Sequence, residues 1–275
     1  MRILFLCTGN SARSQMAEAL LRRMDPELDV HSAGTRPAGQ VHWGAVRALA
    51  ECEIEWKSAR PKSVDVYRGQ VFDYVITLCG NADQACGVFP GKAARLHIPF
   101  DDPAAATGTD AEILNEFRRV RDEIEARLRS FYVSTVPLHP ASPSDYSRVA
   151  ALLAGAGLPE DGLAEHFGAG YVIAGSAAGC AGVERCGDYG LLRSVAVAPQ
   201  FRRMGLGARL VADRIAWARH EDMRALYLLT TTAASYFPKA GFQVVARDRV
   251  PPEVRQSREF ADACPASATV MMLPL

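Results

Sequence analysis

The chain has 275 residues, which exceeds one typical domain and favours two domains of ordinary size. Its 31 Lys and Arg residues equal its 31 Asp and Glu residues, so its charge indicates neither a nucleic-acid partner nor an acidic membrane surface. We expect neither a signal peptide nor a membrane span. The seven cysteines lack the spacing of a disulfide framework, so we expect a cytoplasmic protein with reduced thiols.

The chain begins with a predicted strand, a polar loop and a helix. The apolar run Ile3-Leu4-Phe5-Leu6 predicts the strand. Apolar residues at helical spacing predict a helix that ends at Pro26, and they are Met16, Leu20, Leu21 and Met24. The loop between strand and helix consists of Cys7, Thr8, Gly9, Asn10, Ser11, Ala12, Arg13 and Ser14.

This loop predicts an oxyanion site with Cys7 as its nucleophile. Backbone N–H groups ahead of a helix can surround a tetrahedral anion, and the Arg13 guanidinium can bind the same anion. The same positive field stabilises a Cys7 thiolate. Gly9 and Asn10 tolerate the positive φ that such a loop needs. The alternative is a buried structural cysteine beside an ordinary turn, because cysteine is often a core residue.

Two later strand-like runs also end in reactive side chains. The second run ends in Cys79, and Cys86 lies seven residues further along the chain. A third run leads into Asp102-Pro103. Because ligands of an open parallel α/β sheet bind at the carboxyl ends of its strands, we expect Cys7, Cys79 and Asp102 to lie together. The alternative for Cys79 and Cys86 is a pair of reduced core thiols.

A long helix is predicted to close the first half. It covers residues 110–131, with Thr109 and Glu112 as a capping box at its start. The segment 133–144 that follows is rich in Ser, Thr and Pro, and a new alternation of strands and helices begins within it. We therefore predict two domains, residues 1–133 and residues 134–275.

The Cys-x5-Arg-Ser loop resembles the phosphate-binding loop of the low-molecular-weight protein tyrosine phosphatases and of the thioredoxin-coupled arsenate reductases built on that fold. The resemblance implies a parallel-sheet, phosphatase-like α/β domain with Asp102 as general acid. Phosphatases usually carry an aromatic residue after this Asp-Pro, but here Ala104 follows. A phosphatase also has no use for Cys79 and Cys86. Both departures favour a small inorganic oxyanion over an aryl phosphate.

The reductase resemblance implies a thiol-disulfide relay. Cys7, Cys79 and Cys86 would carry electrons in turn, with arsenate as substrate and thioredoxin as partner. Many of these reductases have a fourth cysteine where this chain has Ala12, and we expect that difference to affect loop packing more than turnover. A tyrosine phosphatase with unused thiols is the alternative.

The second half is organised around a glycine-rich turn. A predicted strand over residues 191–197 precedes the turn, and an amphipathic helix follows it. Backbone N–H groups from about Arg203 to Ala208 face the start of that helix, which suits a pyrophosphate. Gly205 and Gly207 allow the close approach of such a ligand.

This pattern resembles the GNAT N-acetyltransferase superfamily and, in detail, the N-acetyltransferases associated with arsenic resistance. The resemblance implies a GNAT-fold α+β domain that uses acetyl-CoA and an amine acceptor of unknown identity. The residues expected to bind acetyl-CoA are Val195, Ala196, Val197, Arg202, Arg203, Met204, Gly205, Leu206, Gly207 and Ala208. Phe237 stands where many members have a tyrosine that protonates the CoA thiolate, and we expect the neighbouring Tyr236 to point elsewhere.

Glu184 is a candidate general base acting through water, and an exposed carboxylate without a role is the alternative. Cys180, Cys186 and Cys264 are expected to be packing or rim thiols rather than As(III) ligands. The scattered histidines predict no metal site. The sequence thus predicts a bifunctional enzyme, an arsenate reductase fused to an acetyltransferase; the rival for the second half is a CoA-binding or arsenic-sensing module without transferase chemistry.

Overall fold

The computed structural model describes residues 1–80, 82, 92–263, 265 and 267–275. The chain forms two compact units, Met1–Tyr132 and Val133–Leu275. The predictions for Cys86 and Cys264 lie outside the described residues. In the part of the chain that is described, no helix combines the length and the apolar character needed to cross a bilayer.

The first unit is built on a four-stranded parallel sheet. Its strands are β1 (Arg2–Cys7), β2 (Asp29–Gly34), β3 (Tyr74–Thr77) and β4 (Ala94–His97), in the order β2-β1-β3-β4. Its helices are α1 (Arg13–Met24), α2 (Trp43–Ala50) and α3 (Asp110–Thr135). Strand β1 is central and apolar on both faces, which is typical of a parallel strand covered on both sides. The predicted α/β domain with a parallel sheet is confirmed.

Helix α3 begins as predicted and ends later than predicted. The Thr109 N–H donates to Glu112 Oε2 at 2.8 Å, and the Glu112 N–H donates to Thr109 Oγ1 at 3.4 Å, which forms the expected capping box. The helix continues to Thr135, beyond the expected end at Phe131. Ser and Thr are tolerated in a last helical turn, and Pro137 is the first residue that cannot continue the helix.

The second unit contains a seven-stranded mixed sheet in the order β10-β11-β9-β8-β7-β6-β5. The strands are β5 (Leu138–Pro140), β6 (Tyr171–Ala174), β7 (Gly179–Cys186), β8 (Tyr189–Val197), β9 (Ala225–Thr230), β10 (Gln243–Val244) and β11 (Thr269–Pro274). The helices are α4 (Tyr146–Gly155), α5 (Leu163–His166), α6 (Leu206–His220) and α7 (Pro252–Arg255). The sheet is mixed and largely antiparallel, as expected for an α+β domain.

Strands β8 and β9 diverge in the middle of this sheet. They are parallel neighbours only from Tyr189 to Leu191, which face Ala225 to Tyr227. Both strands then continue, to Val197 and to Thr230, without further pairing to each other in the described register. Ser194 takes a positive φ of 54° along this stretch of β8. The divergence opens a cleft between two strands inside one sheet.

Candidate active sites

The first site surrounds the thiol of Cys7 at the end of β1. Cys7 is 2% exposed, and its Sγ accepts a hydrogen bond from the Asn10 N–H at 3.2 Å. The Ser14 hydroxyl lies 3.0 Å from the same sulfur. Polar groups of the loop thus converge on the sulfur, at the place where an oxyanion would bind. Asn10 lies in the loop before α1 and Ser14 lies in the first turn of α1, where the helix N-terminus adds its own positive field.

Asn10 holds the loop in shape through all its side-chain hydrogen-bonding groups. Its φ is 47°, a value that asparagine tolerates better than most residues. The amide Nδ2 donates to Ser14 Oγ and Ser32 Oγ, each at 2.8 Å. The amide Oδ1 accepts from the Lys62 N–H at 2.7 Å and from Gln15 Nε2 at 3.1 Å. The left-handed conformation was predictable from the sequence, but these partners from distant segments were not.

A buried carboxylate, Glu18, and two cations next to it support this hydrogen-bond network. The Ser32 hydroxyl donates to Glu18 Oε2 at 2.5 Å, and Glu18 is 2% exposed. Lys62 Nζ lies 3.3 Å from the same carboxylate oxygen, and Arg22 Nη2 lies 2.7 Å from the other oxygen. The two cations compensate the buried carboxylate, so Glu18 can fix Ser32 and, through it, Asn10.

Glycine is needed at position 34, at the end of β2, because the backbone of the Cys7 loop passes close to it. A Cβ on Gly34 would lie 2.7 Å from the Thr8 carbonyl oxygen and 2.9 Å from the Asn10 nitrogen, both of which are backbone atoms. We expect Gly34→Ala to lower the free energy of unfolding by about 2 kcal/mol, as overpacking does. Denaturant unfolding checks this, with Gly39→Ala as the matched control because a Cβ there meets nothing within 4 Å. Equal unfolding midpoints for the two variants would contradict the proposed close approach.

Arg13 and Asp102 meet beside the loop. Arg13 Nη1 donates to the Phe100 carbonyl oxygen at 3.2 Å, and Nη2 donates to Asp102 Oδ2 at 2.7 Å. The Arg13 side chain is 10% exposed, whereas that of Asp102 is 45% exposed. Arg13 Nε is buried and finds no hydrogen-bond partner among the residues that the structure describes. A buried guanidinium with an unused donor suits an anionic ligand in the loop.

Cys79 follows β3 and reaches the same edge of the sheet. Its Sγ lies 3.4 Å from Thr8 Oγ1, and the residue is 8% exposed. The structure therefore brings together four of the five predicted catalytic residues of the first unit, Cys7, Arg13, Cys79 and Asp102. They meet because strands β1 and β3 are parallel neighbours and end at one edge.

The second site occupies the cleft between β8 and β9. Two cavities of about 280 Å³ each share Val195, Val197, Arg202, Ala233 and Phe237 as lining residues. One of them contains the glycine turn. Its lining includes seven of the ten predicted acetyl-CoA residues, namely Val195, Val197, Arg202, Arg203, Gly205, Gly207 and Ala208. Ala196 lines the other cavity, and Leu206 is fully buried in the core.

The backbone of the turn has the conformation that an anion cradle needs. Gly205, with a φ of 96°, caps the N-terminus of α6, and Arg203 has a φ of 63°. Left-handed residues ahead of a helix are a feature of turns whose backbone N–H groups bind an anion. Open space surrounds Gly205, because a Cβ built on it meets nothing within 4 Å.

The expectation that Tyr236 points away from the acetyl-CoA site is wrong. Tyr236 and Phe237 both line the glycine-turn cavity, and the Tyr236 hydroxyl would lie 3.2 Å from a Cβ on Gly207. The expectation assumed an α-helix, but Tyr236 precedes a short 3₁₀ turn over Phe237–Ala240. Neighbouring residues at such a turn are not constrained to opposite helix faces.

Glu184, the predicted base, lies in the interior. Its side chain is 7% exposed, makes an ion pair with Arg193 Nη1 at 2.9 Å and lies 3.4 Å from His166 Nε2. It does not line either cavity in the cleft. The carboxylate that does line the cleft is Glu259, which the sequence analysis missed. No local motif marks Glu259, because it comes from a segment far along the chain.

Cys180 and Cys186 are packing residues in this structure. Burial raises the pKa of each thiol to about 12, so neither is a ready thiolate. Cys186 lies in an apolar cluster with Leu191 and Val254. Within residues 1–80, 82, 92–263, 265 and 267–275 we find no cluster of three or more potential metal ligands.

Comparison with known proteins identifies both halves. Residues 2–137 match the family described as low molecular weight phosphotyrosine protein phosphatase, and residues 128–242 match the acetyltransferase (GNAT) family. The arsenate reductase of Halalkalibacterium halodurans is 46% identical over 130 residues, which are 47% of this chain and 93% of that protein. The chain belongs to the arsenate reductases. It carries in addition a C-terminal GNAT acetyltransferase domain.

Two solved structures resemble parts of this chain. One is the arsenate reductase of Archaeoglobus fulgidus, with 32% identity and a TM-score of 0.39 over 46% of this chain and 95% of that one. The other is a Mycobacterium tuberculosis protein in complex with CoA and NLQ, with 21% identity and a TM-score of 0.44 over 50% of this chain and 99% of that one. The GNAT family match itself implies that the C-terminal domain binds acetyl-CoA.

The glycine turn of the C-terminal domain offers a direct test of acetyl-CoA binding. Gly205→Val places a β-branched residue at a φ of 96°, where side chains are strained whatever the space. We expect the affinity for acetyl-CoA to fall by about 2 kcal/mol or more. Calorimetric titration measures the change, with Gly155→Ala as a control, since a Cβ there meets nothing within 4 Å and its φ is ordinary. Unchanged affinity in Gly205→Val would exclude the cradle.

Proposed function

We propose that the N-terminal unit reduces arsenate to arsenite in the cytoplasm by a relay of three cysteines, with thioredoxin as the final reductant. The observation that carries the proposal is the meeting of Cys7, Cys79, Arg13 and Asp102 at one edge of the sheet. The arsenate reductases that it resembles match this unit over most of their own length, which supports the same substrate.

The first step is attack by the Cys7 thiolate on As(V). An S–As bond forms as an As–O bond breaks, and Asp102 supplies a proton to the leaving oxygen so that it departs as water. The loop N–H groups and the Arg13 guanidinium hold the charge of the arsenic oxygens. Arg13 Nε, which has no hydrogen-bond partner among the described residues, can donate to one of these oxygens.

The second step transfers two electrons to arsenic. The Cys79 thiolate attacks Cys7 Sγ, an S–S bond forms, and the S–As bond breaks with its electron pair on arsenic, which leaves as arsenite. Cys86 then attacks Cys79 and releases Cys7 as a thiolate. Thioredoxin reduces the resulting Cys79–Cys86 disulfide by the same exchange chemistry.

Phosphatase activity is the second candidate for this unit, because the family match includes phosphotyrosine phosphatases. The segment after Asp102 argues against it, since Pro103–Ala105 forms a short turn of small residues with no aromatic ring to flank a phosphotyrosine. The test compares arsenite release coupled to thioredoxin with hydrolysis of para-nitrophenyl phosphate in the absence of reductant. Ester hydrolysis without arsenite release would establish the phosphatase instead.

For the C-terminal domain we propose acetyl transfer from acetyl-CoA to an amine linked to arsenic resistance. The adjoining cavities of the cleft support this, since one contains the glycine turn and the other contains a buried carboxylate. The rival is a CoA-binding or arsenic-sensing module. A screen of amines for CoA release, with intact-mass analysis of the products, distinguishes the two, because a module gives binding without acetylated product.

A further inference from the structure

A buried charge cluster lies at the floor of the cleft in the C-terminal domain. Arg193 Nη1 is 2.9 Å from Glu184 Oε2, and Arg193 Nε is 3.0 Å from Glu259 Oε2. The side chains of Arg193, Glu184 and Glu259 are 1%, 7% and 9% exposed. The charge of one guanidinium compensates only one of the two buried carboxylates. The protonated, neutral form of the other carboxyl group is therefore favoured.

The two carboxylates differ in their surroundings. Glu184, on β7, has His166 as an additional partner at 3.4 Å. Glu259 faces the cavity, with Arg193 on β8 as its cationic neighbour and Tyr171 on β6 also within electrostatic range. Burial raises the pKa of Glu259 to about 7; the Arg193 charge opposes that rise, and the Glu184 charge adds to it. Glu259 can therefore gain and lose a proton near neutral pH.

The cavity that Glu259 lines, of about 280 Å³, has room for a small second substrate. It lies where β8 and β9 diverge, and its lining includes Ser194, Thr230 and Thr232. Among its lining residues Glu259 is the one carboxylate. This cavity shares a wall with the glycine-turn cavity, and Val195 and Phe237 belong to both. A proton acceptor in one cavity thus adjoins the expected acetyl-CoA site in the other.

We propose that Glu259 accepts the proton of the acceptor ammonium group during acetyl transfer, a role that rests on the acetyltransferase function proposed above. The ammonium nitrogen gives one proton to the Glu259 carboxylate and becomes a nucleophilic amine. Its lone pair forms the N–C bond with the thioester carbonyl carbon, and the C–S bond breaks with its electron pair on sulfur. The CoA thiolate takes the second proton that the nitrogen loses, which completes amide and thiol.

A matched pair of small amines tests this role in the full-length protein. Ethylamine is protonated near neutral pH and needs a base, whereas 2,2,2-trifluoroethylamine is largely neutral there and does not. Glu259→Gln should lower the rate of CoA release with ethylamine by about 100-fold, and should leave the rate with trifluoroethylamine within about threefold. Glu253→Gln, an exposed position on the preceding turn, is the control and should leave both rates unchanged.

Three further measurements separate this role from a structural one. Carbon-13 NMR of protein labelled at the glutamate carboxyl carbons should show one group that titrates near pH 7 in the unliganded protein and is absent from Glu259→Gln. Calorimetry should show the same affinity for acetyl-CoA in the wild type and in Glu259→Gln. In a third experiment, Glu259→Asp should recover part of the rate of CoA release with ethylamine that Glu259→Gln loses. Equal loss with both amines would make Glu259 a structural residue and overturn the proposal.

The outcomes also distinguish this inference from the function on which it rests. If the wild type releases CoA with ethylamine and Glu259→Gln does so at the same rate, acetyl transfer stands and the role of Glu259 is wrong. If the wild type binds acetyl-CoA but releases CoA with neither amine, transfer to simple amines is wrong and the role of Glu259 falls with it.

Discussion

Replacement of Cys79 by serine should abolish thioredoxin-coupled arsenite release, with a loss of about 10³-fold or more, while the arsenate adduct on Cys7 still forms. A serine hydroxyl cannot form the disulfide that breaks the S–As bond, so turnover should stop at the adduct. Cys79 Sγ reaches the Cys7 loop through Thr8 Oγ1 at 3.4 Å, and serine can keep that contact without restoring the electron transfer.

Two measurements check this expectation. Intact-mass spectrometry should detect the adduct, and a coupled assay should detect no arsenite. Cys52→Ser is the matched control, because Cys52 is a half-buried free thiol of the same unit outside the loop. Ala12→Cys should also change turnover little, since the relay does not use that position. Steady turnover by Cys79→Ser at close to the wild-type rate would remove the reductase proposal.

Replacement of Asp102 by asparagine should slow formation of the Cys7 adduct by about 10³-fold, within the range for loss of a general acid. Asparagine keeps the shape of the side chain and can still accept a hydrogen bond from Arg13, so the anion site should persist. Asparagine cannot, however, supply the proton that the leaving oxygen needs. We therefore expect kcat to fall, while the affinity for phosphate, an unreactive oxyanion, should change little.

Asp101 provides the control for this variant. It is adjacent in sequence, but its carboxylate pairs with Arg119 at 2.9 Å and its side chain is 75% exposed. Asp101→Asn should therefore leave the rate of adduct formation nearly unchanged, as expected for the loss of an exposed ion pair. Rapid-quench measurement of the adduct decides the comparison. Similar rates for the two variants would show that Asp102 is not the proton donor.

The sequence by itself determined the local features of both units. The run from Cys7 to Ser14 encodes its own turn, because a strand end, residues that accept positive φ and a helix start are contiguous. The same holds for the glycine turn before α6 and for the capping box of α3. The families of both halves could be predicted for this reason, since the motifs that mark them are short and contiguous.

Tertiary structure alone decided which distant side chains serve those motifs. Asn10 is fixed by Ser32 and by Lys62, which come from other parts of the chain. Glu184 was the predicted base, yet Arg193 and His166 hold it in the interior, and Glu259 faces the cavity in its place. Periodicity reports which face of an element is buried, but it does not report which ion pair forms across a sheet. Burial and charge compensation depend on contacts between segments far apart in sequence, and only the folded chain brings those segments together.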